Sequence, residues 1–202
     1  MESSIIKSME IIGKLLGNQA RVKIMRLFLL NKDKGFIKKD VVKRSRVSPN
    51  LVGHELRLLS SVGFIKKRGL LWHFEPSFKY AVEFENLLIN TDTLDKEMIV
   101  SIFKKVGRVK LLVLSGVFIK DKTSRVDLLI VGDRMKKSKI EECVRKLEAE
   151  IGAEIVYATL ETKEFVYKVN MYDKLVRDIL DFPHEVVLQA KELNLSKVAR
   201  QT

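Results

Sequence analysis

Apolar residues recur at helical spacing from the start of the chain. Ile5, Ile6, Met9, Ile12, Leu15 and Leu16 share a face and predict a first helix ending near Gly17. Asn18 then stands as the cap of a second helix, whose interior of Val22, Ile24, Met25, Leu27, Phe28 and Leu29 is nearly all apolar. The charged turn cluster Asn31-Lys32-Asp33-Lys34-Gly35 stops it. A short third helix is predicted over residues 37–43, with Ile37, Val41 and Val42 inward and a turn at Arg44-Ser45-Arg46-Val47. Ser48 is an N-cap residue and Pro49 suits a first helical position, so a fourth helix runs from there to Val62-Gly63. Val52, Leu56 and Leu59 form its buried stripe, while Asn50, His54, Arg57 and Ser61 share a polar face free of acids. Residues 64–74 then read as strand, basic turn with Gly69, and strand.

Residues 78–88 and 94–106 read as helices joining this half to the next. Residues 108–115 form a buried-strand run, and a second strand over 125–131 stops at Gly132-Asp133. Residues 136–151 are an amphipathic helix with Ile140, Val144, Leu147 and Ile151 inward. A third strand over 154–160, helical stretches over 163–169 and 172–180, and an apolar piece at 185–188 complete the pattern. The expected class is α+β, with residues 1–80 as one domain, 81–107 as a helical connector, 108–190 as a mixed α/β domain, and 191–202 as a tail.

Charge changes this picture more than composition does. The net charge is +12, yet residues 1–80 hold 17 Lys/Arg against 6 Asp/Glu, and the remainder holds 21 against 20. The excess positive charge therefore lies almost wholly in the first two-fifths, which points to a polyanionic partner for that half. The single Cys143 excludes an intramolecular disulfide and a cysteine-built metal site, and reads as a small core or boundary residue. No apolar run is long enough for a membrane span, and the first residues lack a signal-peptide pattern, so a cytoplasmic protein without membrane partners is expected.

Helix, helix, turn, capped helix and basic hairpin is the order of a winged helix-turn-helix, and residues 18–76 resemble the winged-helix domains of ArsR-type transcriptional regulators. The Ser48-Pro49-Asn50 opening, the leucine spacing after it, and Gly63-Phe64-Ile65 before the hairpin carry the match. The resemblance implies double-stranded DNA as partner, without an ArsR-style metal site, since this half has no cysteine. A helix fits the major groove, where Asn50 can pair with adenine and Arg57 with guanine. Ser48 opens that helix, and His54 reads equally as a base contact or a solvated residue. Gly53 would let the helix approach closely. Lys38, Lys39, Lys43, Arg44 and Arg46 before the helix, with Lys66, Lys67 and Arg68 on the wing, are expected to hold phosphates. Trp72 and Phe74 read as wing packing.

Residues 108–188 resemble the minimal nucleotidyltransferase domain of the DNA polymerase beta superfamily. The Ser115-Gly116 turn, the strand Val126-Asp127-Leu128-Leu129-Ile130-Val131-Gly132-Asp133, the long helix and the ending Val186-Val187-Leu188 carry this likeness. That family uses Gly-Ser after its first strand and Asp-x-Asp on its second, because carboxylates at i and i+2 face one side and hold divalent metals beside a triphosphate. Here Gly116 matches, but Val117 stands for the serine; Asp127 matches, but Arg125 stands for the first aspartate. Only Glu154 offers a third acid from a neighbouring strand, and Arg125 is placed to pair with Asp127. The expected function is thus a DNA-binding transcriptional regulator whose second domain is a degenerate nucleotidyltransferase-like module for assembly or sensing, with no catalytic residue, metal or cofactor. Two alternatives stay open: an active nucleotidyltransferase using magnesium to modify protein or RNA, such as a toxin–antitoxin antitoxin, and a protein-binding adaptor. A homodimer, and a nucleotide or partner protein at the C-terminal domain, stay open as further partners.

Overall fold

A computed structural model describes residues 11–90, 96–121 and 123–193. The positions Ile5, Ile6 and Met9 of the first expected helix, Leu94 at the start of another, and residues 194–202 of the expected tail lie outside the described residues. The chain is mixed α and β with two separate sheets, and it divides into two compact units between Asp95 and Lys96. The stretch expected as a connector is therefore shared between them, and Arg145–Glu154 belongs to the first unit.

In the first unit, residues 11–15 (α1) are helical, and Gly17 turns the chain at a φ of +99°. Asn18 caps α2 (Gln19–Leu29) by accepting the Arg21 N–H at 2.7 Å. A two-residue strand β1 (Gly35–Phe36), not foreseen, precedes α3 (Lys38–Ser45). Ile37 is consequently the N-cap residue of α3 and 36% exposed, whereas an inward position was expected. Val41 is fully buried, and Val42 only partly. Arg46 leaves α3 in the left-handed region at a φ of +55°, and α4 (Pro49–Ser61) begins with Pro49 in its first turn. Ser48 holds the N-cap position without a side-chain capping bond. Val52, Leu56 and Leu59 are buried as the spacing requires.

Strands β2 (Ile65–Arg68) and β3 (Leu71–Phe74) form an antiparallel hairpin, with β1 on the other side of β3. Phe64 and Phe74 meet edge to face at 5.4 Å, tying the base of the hairpin to the core. The segment at 78–88 is helical from Ala81, as α5 (Ala81–Glu85) and then as a π-helix over Asn86–Asn90. Buried Arg26 donates to the Leu88 carbonyl at 2.9 Å and to the Glu150 carbonyl at 3.1 Å, fixing both segments to α2.

The second unit opens with α6 (Lys96–Phe103) and β4 (Arg108–Leu114). A 3-10 turn at Gly116–Phe118 and an irregular stretch lead to β5 (Leu128–Asp133). Helix α7 (Lys137–Ile151) leads to β6 (Tyr157–Glu161), followed by α8 (Thr162–Asn170), α9 (Lys174–Leu180) and β7 (Glu185–Gln189). The sheet order is β6-β5-β4-β7, with β5 and β6 parallel and the other pairs antiparallel. Strand β5 starts three residues later than its apolar run suggests and continues through Gly132 and Asp133. The third strand starts at Tyr157, so Glu154 precedes it. Tyr172 is a left-handed turn residue, and Asp173 caps α9. Leu111, Leu129, Val131, Phe165 and Val176 centre the core, and Cys143 is buried.

Candidate nucleic-acid interface

The amphipathic α4 positions the surface of interest. Its apolar stripe is held in the core, so Asn50, His54, Arg57 and Ser61 are all exposed on the opposite side. In the hairpin, Ile65 pairs with Phe74 and Lys67 with Trp72, so by the strand alternation these four share one face. Lys66, Arg68, Leu71 and His73 take the other. Lys67 Nζ lies 5.6 Å from the Trp72 ring centroid, a cation–π contact that steers the ammonium group.

The result is a groove between the start of α3, the middle of α4 and the hairpin, where Lys38, Lys39, Arg57 and Lys67 meet beside Gly53 and Trp72. A Cβ on Gly53 would lie 3.0 Å from Lys38 Nζ. The Lys38 ammonium group thus rests over the open helix surface at Gly53. Ile37 and Leu70, which sequence reasoning did not assign here, supply apolar lining with Trp72. Lys43 and Arg46, at the far end of α3, and Lys66 and Arg68, on the hairpin's other face, are exposed but do not line this groove. Arg44 is otherwise engaged: its guanidinium meets Glu154 at 2.6 Å and lies 5.2 Å from the Phe36 ring centroid.

Beneath α4 lies a polar network that sequence reasoning missed. Glu55 is fully buried and accepts from Asn18 Nδ2 at 2.8 Å and from Arg21 Nε and Nη2 at 2.7 and 3.3 Å. Arg21 also donates to the Leu16 carbonyl. Burial pushes the Glu55 carboxyl up, but the bonds from Arg21 and Asn18, with the charges of Arg21 and His54, outweigh it and hold the pKa below the ordinary range. The only acid of α4 is therefore turned inward and neutralised. A signal existed: Glu55 sits between Val52 and Leu56 on the buried stripe.

The four residues of the second resemblance take other roles. Gly116 holds a φ of +53°, and a Cβ there would lie 1.9 Å from Asp127 Oδ1. Asp127 precedes β5 and accepts two backbone N–H groups, from Val117 at 2.8 Å and from Val156 at 2.8 Å. Its own N–H donates to the Val156 carbonyl, and its carbonyl accepts from Ser115 N–H. Ser115 is buried, with its hydroxyl donating to the Val126 carbonyl. Arg125 also precedes the strand, so the i, i+2 argument does not govern it, and it pairs with Asp178 at 3.3 Å rather than with Asp127. Glu154 is paired with Arg44. Among the described residues no group of three or more His, Cys, Asp or Glu is arranged to hold a metal ion, and no helix is long and apolar enough to cross a membrane. Comparison of the chain with protein-family models, curated proteins and solved structures found no match.

Proposed function

We propose that this protein is a DNA-binding regulator whose first unit is a winged helix-turn-helix, and whose second unit serves assembly or ligand sensing. The observation that carries the reading is the gathering of Lys38, Lys39, Arg57 and Lys67 around one groove between α4 and the β2–β3 hairpin. In this reading α4 enters the major groove, Asn50 and Arg57 reach base edges, and the hairpin is the wing on the phosphates. The inward-facing Glu55 supports it, because no carboxylate of α4 then faces the polyanion. In the second unit, Arg125 pairs with Asp178 and both it and Asp127 precede β5, so the two are not set side by side by strand alternation, which supports a role other than metal-dependent catalysis.

The test is fluorescence anisotropy of the full chain on duplexes selected from a random pool. With roughly six phosphate contacts, affinity falls about a thousandfold between about 50 and 200 mM salt. Arg57→Ala costs about 1–3 kcal/mol on the selected site and much less on random duplex, whereas Lys67→Ala weakens both alike and lowers the salt slope by about one. Absence of binding at low salt, a flat salt dependence, or equal losses for Arg57→Ala on both duplexes overturns the reading.

A further inference from the structure

The sheet of the second unit has a second end. Opposite the Gly116–Asp127 turn, the parallel strands β5 and β6 finish together, and the chain turns into α7 and α8. In sheets with parallel strands, ligands settle in the crevice outside the carboxyl ends, where helix N-termini add partial positive charge. Here that crevice is a cleft of about 1030 Å³, the size of a small-ligand site, with Arg108, Lys110, Asp133, Arg134, Glu161 and Lys163 on its walls.

The charges are not mutually spent. Lys110 meets Asp133 at 2.9 Å and Glu192 at 2.7 Å, so that cation is already compensated. Asp133 also accepts the Thr162 N–H at 3.4 Å and so sits on the first turn of α8. Hydrogen bonding from Thr162, and then from Lys110, holds its carboxyl down at about 2, which keeps it ionised and locked as a structural group. Arg108, Arg134 and Lys163 make no ion pair among the described residues; of the acids lining the cleft Glu161 remains against them, and Glu164 lies beside Lys163 in the first turn of α8. Arg134 is held in the left-handed region at a φ of +53°, where glycine is the easier residue. Gly107 lies so close behind it that a Cβ would be 2.8 Å from the Arg134 carbonyl oxygen. Gly107 is thus needed for the turn at Arg134 to pack beside the start of β4, which brings the Arg134 backbone to the cleft wall.

We infer that this cleft binds a small phosphate-bearing ligand, with Arg108, Arg134 and Lys163 meeting the phosphate oxygens. Guanidinium groups suit phosphate because their forked donors match its oxygens, and an ammonium group adds charge without directional demand. The site lies at the opposite end of the sheet from Gly116 and Asp127 and does not depend on the DNA-binding reading.

The experiment is calorimetric titration of the full chain with pyrophosphate, then with inorganic tripolyphosphate and a nucleoside triphosphate, at about 150 mM salt to suppress diffuse binding. One equivalent binds, and Arg134→Gly combined with Lys163→Gln weakens it at least about tenfold, since each removes a charge-assisted contact. Arg134→Gly suits the left-handed backbone, so the fold is kept. Glu161→Gln tightens binding, a gain that a damaged fold does not mimic. Equal affinity for inorganic tripolyphosphate and the nucleoside triphosphate assigns recognition to the phosphate chain, and tighter binding of the nucleoside triphosphate adds nucleoside contacts. No heat at millimolar pyrophosphate, indifference to the Arg134/Lys163 pair, or weaker binding by Glu161→Gln overturns the inference.

Discussion

Glu55→Ala probes the network under α4 most directly. The wild-type carboxylate is wholly buried and accepts three hydrogen bonds, two of them from a guanidinium that is itself 21% exposed. Removing one partner of a buried ion pair costs about 3–5 kcal/mol, because the other charge is left without compensation. Arg21 retains some access to water, so the expected cost here is about 2–4 kcal/mol. For a unit of about 100 residues that is a fall of roughly 10–25 °C in Tm. The assay is selective, since the single tryptophan, Trp72, lies in β3 of the first unit and its fluorescence follows that unit's unfolding. The double variant Arg21→Met with Glu55→Leu removes both charges together and should recover most of the loss, giving a coupling energy of about 2 kcal/mol. The acid limb adds a signature. The folded pKa of Glu55 is depressed, so its contribution is complete above the unfolded value of about 4.3 and is lost as pH falls through the folded value. Glu55→Gln removes that part of the acid slope. A Glu55→Ala protein within about 0.5 kcal/mol of wild type, or a double variant as unstable as the sum of its singles, would refute the reasoning.

Gly116→Ala should cost about 2–4 kcal/mol, since it adds a clash with Asp127 to the left-handed penalty; Gly63→Ala, with φ at +77° and open space around it, should cost only about 1–2 kcal/mol in urea denaturation. Asp127→Asn, read in the same way, loses about 1–3 kcal/mol because an amide N–H₂ now faces one of two backbone donors. Arg125→Asp with Val117→Ser restores the family's residue types but should bind no magnesium by calorimetry, because positions 125 and 127 both precede β5 and strand alternation does not set their carboxylates side by side. Arg44→Ala should lower the DNA salt slope by less than Lys67→Ala, and loss of its exposed pair with Glu154 should change stability by about 0.2–1 kcal/mol.

Long amphipathic segments were legible because one face must be buried: the stripes of α4 and α7 fall on Val52, Leu56 and Leu59 and on Ile140, Val144 and Leu147. The hairpin was legible because a basic turn with Gly69 separates two short apolar pieces. Strand β1 was not, since two residues carry no alternation and pair only when β3 lies beside them. Ile37, between β1 and α3, is the N-cap residue and is exposed, so it does not follow the helical periodicity. The β5 boundary was misplaced because Val126 is buried like the strand residues after it, so hydrophobicity runs past the start of the hydrogen-bonded ladder. Among the candidate contacts, the exposed face of α4 followed from periodicity alone. Which cations join it did not, because Lys38 and Lys67 reach Arg57 only through the packing of α3 and the hairpin. Arg44 reads as one more basic residue before α4 until its partner, 110 positions away, is known.

Asp127 shows why a residue type that matches a catalytic pattern is weak ground for chemistry. A carboxylate can serve structure as well as chemistry, and its hydrogen bonds show what it does in the fold. Here they close two backbone segments: the Val117 N–H ties down the turn after β4, and the Val156 N–H ties down the approach to β6. Gly116 is needed for the same closure, because any side chain would occupy the space of Oδ1. Glycine and aspartate therefore depend on each other for folding, without reference to a nucleotide. Arg125, joined to Asp178, sits outside this closure and does not bear on it. The opposite end of the sheet has the reverse character. Asp133 is the structural acid there, while Arg108, Arg134 and Lys163 stay uncompensated among the described residues around an open cleft. Those three cations face one open cleft without an acid partner among the described residues, an arrangement that suits an anion. Ligand chemistry in the second unit is therefore better sought at the carboxyl ends of β5 and β6 than at the Gly116–Asp127 turn.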